Sequence, residues 1–152
     1  MLTDKGALLF FGFTMVYGAE DLRNRQIRAS HFLPALLTGI LYGSLSVLQT
    51  GTWAFSSFLS ALIPGAVMGI FAKITGTMGA ADVVYLILAA FFLDLSRILS
   101  LLLWAALFCA VFGLVCCAVS FAPGRSKKSL RNCRLPFLSF FIPAYLLLFL
   151  QY

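Results

Sequence analysis

The stretch over residues 83–119 constrains this chain more than any other feature, because it is apolar apart from Asp94, Ser96, Arg97 and Ser100. One crossing of a hydrocarbon core ~30 Å thick takes about 20 apolar residues. A stretch of 37 residues is therefore too long for one helix, and residues 94–97 form the natural hairpin between two. Similar runs precede and follow it, at residues 6–18, 32–47, 53–74 and 135–152. The first run is short, but residues 19–27 contain no Gly or Pro to stop a helix, so it is predicted to continue past the membrane face, with Asp21 near its end. Pro64-Gly65 marks a kink in the third run, and Pro136 and Pro143 interrupt the last.

Six runs joined by short loops fit the 152 residues, so the predicted fold is all-α: a polytopic membrane protein of about six transmembrane helices and a single domain over residues 1–152. Composition excludes a soluble globular fold. The chain is 62% hydrophobic and 11% charged, with a mean hydropathy of +1.01, whereas soluble domains carry roughly 25% charged residues. Asp4 and Lys5 stand where a secretory signal would have a basic stretch, so the first run reads as a retained helix.

A net charge of +6 raises nucleic acid as a partner, but in a membrane protein basic charge is the orientation signal of cytoplasmic loops. In the six-span arrangement Arg23, Arg25, Arg28, Lys73, Arg125, Lys127, Lys128, Arg131 and Arg134 fall on one side, against Lys5 and Arg97 on the other. The first side is cytoplasmic, both termini lie outside, and the partners expected are membrane lipid and no nucleic acid. The basic loop over residues 125–134 suits anionic lipid. Cys109, Cys116, Cys117 and Cys133 contain no C-x-x-C pair and read as small packing residues. His31 has no second His or Cys at ligand spacing, so no metal site and no cofactor are assigned.

Five acids occur, Asp4, Glu20, Asp21, Asp82 and Asp94, and ionisable groups at membrane depth are costly enough to suggest function. Between Asp21 and Asp82 the chain crosses the membrane twice, which returns both carboxyl groups to one face. Two carboxyls sharing a proton can activate a water and protonate a leaving amine, which is peptide hydrolysis. Spacing alone equally allows a structural account, in which Asp21 pairs with Arg25 and Asp82 caps a helix starting at Val83. Glu20 likewise has two readings, as an attractor of basic substrate or as a solvated helix-end charge. Asp94 and Arg97 are expected to pair at the outer hairpin.

The segment Asp21-Leu22-Arg23-Asn24-Arg25-Gln26-Ile27, taken with Gly79-Ala80-Ala81-Asp82, resembles the two catalytic motifs of the type IV prepilin peptidases, membrane aspartic proteases with a Gly-x-Gly-Asp signature. Preflagellin peptidases are close relatives. Pro136-Phe137 resembles the Pro-Phe segment that opens the last helix of that family. The sequence departs from the family pattern at Arg28, where many members have Pro, at Ala81, which replaces the second Gly, and at Val84, where Lys is common.

The resemblance implies an aspartic endopeptidase that removes the short basic leader of prepilin-like precursors at the cytoplasmic face of the inner (plasma) membrane. It implies Asp21 and Asp82 as catalytic residues, Gly79, Ala81, Arg23 and Arg25 as motif-supporting residues, and Glu20, Pro136 and Phe137 as candidate substrate contacts. The cytoplasmic segment with paired C-x-x-C motifs that accompanies methyltransferase activity in larger members has no counterpart here. Two other functions fit the residues: a small transporter using Asp21 and Asp82 as proton or cation sites, and a non-catalytic scaffold of the same fold. Replacing all four cysteines by Ser or Ala is predicted to leave cleavage of a pilin-like precursor intact, and a metal chelator should not inhibit it. Loss of activity in a cysteine-free protein that inserts normally, or zinc-reversible inhibition by a chelator, would contradict this assignment.

Overall fold

The computed structural model describes residues 2–24, 27, 29–50, 55–75, 79–120 and 137–151. These form six α-helices and no strand: α1 (Leu2–Asn24), α2 (Leu33–Thr50), α3 (Phe55–Thr75), α4 (Ala80–Ala89), α5 (Leu95–Ser120) and α6 (Phe141–Gln151). Short 3₁₀ turns, Ala29–Phe32 and Phe137–Phe140, lead into α2 and α6. Among the described residues, two segments, Ser30–Leu48 and Leu95–Ala118, are long and apolar enough to cross a membrane.

Helix α1 does continue beyond Gly18, as the lack of a breaker predicts. The hairpin lies slightly earlier than expected. Helix α4 stops at Ala89, the amides of Ala90, Phe91 and Phe92 close tight turns onto Ile87, Leu88 and Ala89, and α5 opens with the Ile98 amide on the Asp94 carbonyl. Arg97 therefore belongs to the first turn of α5, where its Nε lies 3.7 Å from Asp94 Oδ1. At 10 residues α4 is about 15 Å long, half the span of a bilayer core. Pro143 does not break the last helix, because it falls in the first turn of α6, where a missing N–H leaves no bond unmade. Helix α3 runs on through Pro64. Pro136, residues 51–54, residues 76–78 and the basic segment over residues 125–134 with Cys133 lie outside the described residues.

The core gathers around one face of α1. Phe10 of α1 packs at a tilt against Tyr85 of α4 and stacks on Phe92, with ring centroids 5.1 and 5.2 Å apart, and Tyr85 meets Phe141 of α6 at 4.7 Å. Ile98, Leu101 and Ala105 of α5 and Ala144, Tyr145 and Leu148 of α6 complete the buried set. Leu37, Ile40, Leu41 and Leu45 of α2, Leu59, Ile63, Val67 and Ile70 of α3, and Leu99, Leu103 and Leu107 of α5 point outward and are exposed. Apolar residues inside and apolar residues outside suit a solvent of lipid, in which an outward Leu costs nothing.

Each polar group in this core has a partner. Thr14 gives its single hydroxyl proton to the Phe10 carbonyl at 2.9 Å, so in the 2.8 Å contact between Thr14 and Tyr85 the tyrosine is the donor. Tyr145 donates to the Ala7 carbonyl, and Tyr17 donates to the carbonyl of His31. These bonds tie α4, α6 and the start of α2 to α1.

Close helix approach depends on missing side chains. A Cβ at Gly65 would lie 2.8 Å from Ile87 Cγ1 and 3.2 Å from the Ile87 backbone nitrogen, and the backbone of α4 cannot swing aside. A Cβ at Gly12 would meet nothing within 4 Å. Gly65→Ala is therefore expected to destabilise the protein by about 1–3 kcal/mol through overpacking, while Gly12→Ala should be neutral or up to about 1 kcal/mol stabilising through helix propensity. Unfolding by denaturing detergent in mixed micelles reads both. Equal stability of the two variants would contradict the α3–α4 packing.

Candidate active site

Asp21 lies on α1 beyond the apolar run that ends at Gly18, and Asp82 lies in the first turn of α4, just before the apolar run that begins at Val83. The two therefore stand at the edge of the apolar bundle and not in its middle. Asp82 is 8% exposed and, among the described residues, is the one buried carboxyl group.

Helix α4 begins earlier than the capping reading requires. Its N-cap is Gly79, in extended conformation, and Asp82 is the third helical residue. From that position its carboxylate reaches back to the Gly79 backbone amide, as the acidic half of a capping box does. A Cβ added at Gly79 would lie 3.4 Å from Asp82 Oδ2, so the carboxylate closes directly over the glycine. The structural part of the Asp82 reading is thus real, though its geometry is that of a reach-back contact. The companion reading, Asp21 paired with Arg25, lies outside the described residues.

Asp21 is held from a distant part of the chain. Its carboxylate accepts hydrogen bonds from the backbone amides of Leu138 and Ser139, in the 3₁₀ turn before α6. That turn is fastened to α1 by Ser139, whose hydroxyl donates to the Gly18 carbonyl at 3.0 Å. Leu138 is buried, and Phe137 meets Phe141 edge-on at 5.3 Å.

The electrostatics couple the two acids. Burial and, after it, the charge of Asp21 together push the Asp82 carboxyl up to about 6, while the Gly79 amide acts in the opposite sense. Burial also raises Asp21, and the Leu138 and Ser139 amides oppose it. The stronger shift on Asp82 follows from its deeper burial and its single amide. A pair of this kind ionises in two steps that belong to both groups together, so over an intermediate pH range the site holds one proton and one negative charge. Such a site can accept a proton from water on one oxygen and return one from the other.

The remaining candidates separate. Ala81 is half-buried and packs against the core, which accommodates its methyl group. Arg23 is exposed. Arg25 and Pro136 lie outside the described residues. Glu20 is not a free helix-end charge: its Oε2 lies 2.7 Å from His31 Nδ1, which fixes the entry to α2 against the end of α1. His31 in turn is engaged with a carboxylate. Among the described residues no three His, Cys, Asp or Glu side chains stand together that could hold a metal ion.

Sequence reasoning missed two features. The Glu20–His31 pair joins residues on either side of the end of α1, so helical spacing could not signal it. Leu138 and Ser139 act on Asp21 through their backbone amides, and an amide leaves no trace in residue identity; the nearest signal was the Pro136-Phe137 dipeptide just before them.

No curated protein and no solved structure gives a significant match to this sequence. The profile of the type IV leader peptidase family matches residues 8–114 of the 152, a segment that contains both Asp21 and Asp82. More than two thirds of the chain is covered by that match, and the chain belongs to the type IV leader peptidase family, a family of aspartic-type membrane proteases.

Proposed function

We propose that this protein is a membrane-embedded aspartic endopeptidase that removes the short basic leader from prepilin-like precursors, with Asp21 and Asp82 as its catalytic pair. The observation that carries the reading is the buried Asp82 carboxyl within electrostatic reach of Asp21, each acid anchored by backbone amides. In this scheme the ionised carboxylate takes a proton from a water molecule as the water oxygen bonds to the scissile carbonyl carbon. The protonated carboxyl stabilises the developing oxyanion. Collapse of the tetrahedral intermediate breaks the C–N bond, and the leaving nitrogen receives a proton from the pair, which regains its single shared proton.

Asp21, with two amide donors, is the natural base; Asp82, buried more deeply, is the natural holder of the proton. Gly79 supports Asp82 through its amide, and Ala81 seats the first turn of α4. Arg23 and Arg25 follow Asp21 in sequence, Pro136 and Phe137 come just before the two amides that hold it, and Glu20, held by His31, adds negative charge beside a basic leader. The exposed apolar faces of the bundle suit a protein in lipid, and a hydrophobic substrate helix would lie in the same layer.

The proposed arrangement has six crossings in the plasma membrane, with the nine-residue basic side in the cytoplasm, both termini outside and the site at the cytoplasmic face. Helix α4 crosses only together with the turn through Leu93, which places α4 deep inside the bundle, where its buried Tyr85, Leu86 and Ala89 belong.

Asp21→Asn and Asp82→Asn should each abolish processing, because the mechanism needs one base and one acid, whereas Asp94→Asn should cost little. The rate should follow a bell in pH. On the acid side it falls as the ionised member becomes protonated, and on the alkaline side it falls as the shared proton is lost, at or above the Asp82 value of about 6. The assay follows shortening of a precursor in membranes, with inserted enzyme quantified alongside. An Asn variant at either position that cleaves near the wild-type rate would remove the pair from the mechanism and favour an ion-coupled transporter.

A further inference from the structure

Asp21 owes its setting to a turn more than a hundred residues away in sequence, and a side chain with no role in the proton transfers controls that turn. We propose that Ser139 is a positioning residue for the catalytic pair, its hydroxyl anchoring the turn Phe137–Phe140 to α1 so that the Leu138 and Ser139 amides stay on the Asp21 carboxylate. This inference rests on the Asp21–Asp82 reading.

Three observations lead to it. The Ser139 hydroxyl donates to the Gly18 carbonyl at 3.0 Å, and Gly18 is three residues before Asp21, hence on the same face of α1. One short turn thus grips that face at two points, through a hydroxyl at Gly18 and through two amides at Asp21. Second, Gly18 has no side chain where the turn and α6 come closest: a Cβ there would lie 2.6 Å from Ile142 Cδ1 and 3.5 Å from the Leu138 carbonyl oxygen. With glycine at this position the turn and Ile142 sit directly against α1, and a methyl group here would oblige the Ile142 side chain to move. Third, the burial of Leu138 and the ring contacts of Phe137 with Phe141 and of Phe140 with Phe112 are apolar and non-directional. They hold the turn near α1 but do not fix the direction of its N–H groups.

The chemical consequence is selective. Amide donors on a carboxylate favour its ionised form, so a well-seated turn keeps Asp21 charged while the proton resides on Asp82. The other titratable groups around Asp21 are Glu20 and Arg23 on α1, His31 on the turn before α2, Asp82 on α4 and Cys109 on α5, the last within reach of the Asp82 charge. The described part of α6 contributes Tyr145, whose hydroxyl is committed to Ala7 near the opposite end of α1. Arg25, Arg28 and Arg134 lie outside the described residues. None of these groups changes when Ser139 is altered, so a Ser139 variant isolates the seating of the amides. Loosening the turn weakens their hold, Asp21 binds a proton more readily, and the acid limb of the rate profile moves up in pH. The alkaline limb, set by loss of the proton held on Asp82, stays in place.

The test compares wild type, Ser139→Ala, Ser139→Thr and Asp21→Asn as full-length proteins in liposomes, measuring kcat and KM for a pilin-like precursor from about pH 4 to 9. For Ser139→Ala the acid limb should rise by roughly half to one pH unit, with a kcat loss of about three- to tenfold below the optimum and under about twofold above it. KM should be unchanged, and Ser139→Thr, which keeps the hydroxyl, should restore the wild-type profile. A loss of the same factor at every pH, no change in Ser139→Ala, or a Thr variant that behaves as Ala does would overturn the positioning role. If Asp21→Asn is inactive while Ser139→Ala matches wild type, only the Ser139 inference fails. If Asp21→Asn cleaves normally, the catalytic pair itself falls and the inference falls with it.

Discussion

A carboxyl group placed at the mouth of an apolar helical bundle must be given hydrogen bonds, a proton or a compensating charge, because burying a bare anion costs several kcal/mol even after relaxation. Asp82 meets this requirement with a glycine amide and a raised proton affinity, and Asp21 meets it with two amides from the turn before α6. The solutions differ, and in the proposed mechanism that difference assigns the base to Asp21 and the proton to Asp82. Much of the architecture follows from having to deliver those amides: Gly79 at the start of α4, and the return of the chain from α5 to place residues 137–140 against the end of α1.

Helix α1 is the frame on which the site is assembled. Its buried face carries Phe10, Thr14 and Tyr17, which bind α4 and the entry to α2 through ring contacts and hydroxyl bonds, and the same helix then presents Gly18 and Asp21 to the turn. With lipid outside, the bundle gains little from segregating apolar residues inward, so close packing and directional bonds carry the specificity. Gly65 against Ile87 and Gly18 against Ile142 are points at which a single methyl group would intrude.

How much of this was legible in the sequence depended on whether the signal lay in side chains. The all-helical architecture was legible because long apolar runs with few charges have few alternatives, and the extension of α1 to Asn24 was legible in the lack of a breaker after Gly18. The family was legible in Asp21-Leu22-Arg23-Asn24-Arg25 and Gly79-Ala80-Ala81-Asp82. The end of α4 was not, because residues 90–93 are as apolar as the helix they terminate and only their backbone bonds distinguish the turn. Pro143 was read as a break since proline opposes a helix interior, and only the position of the first turn shows that it is tolerated. The Leu138 and Ser139 amides were invisible for the same reason as the turn: a backbone donor belongs to every residue.

The central claim is that Asp21 and Asp82 form one titrating unit, and NMR of the protein in lipid nanodiscs, with ¹³C at its aspartate carboxyls, tests it most directly. The account predicts a carboxyl assigned to Asp82 that titrates near 6 and moves downward in Asp21→Asn, while remaining above the ordinary aspartate range because burial persists. An Asp82 carboxyl whose midpoint is the same with and without the Asp21 charge would contradict the account, whatever the rate of cleavage.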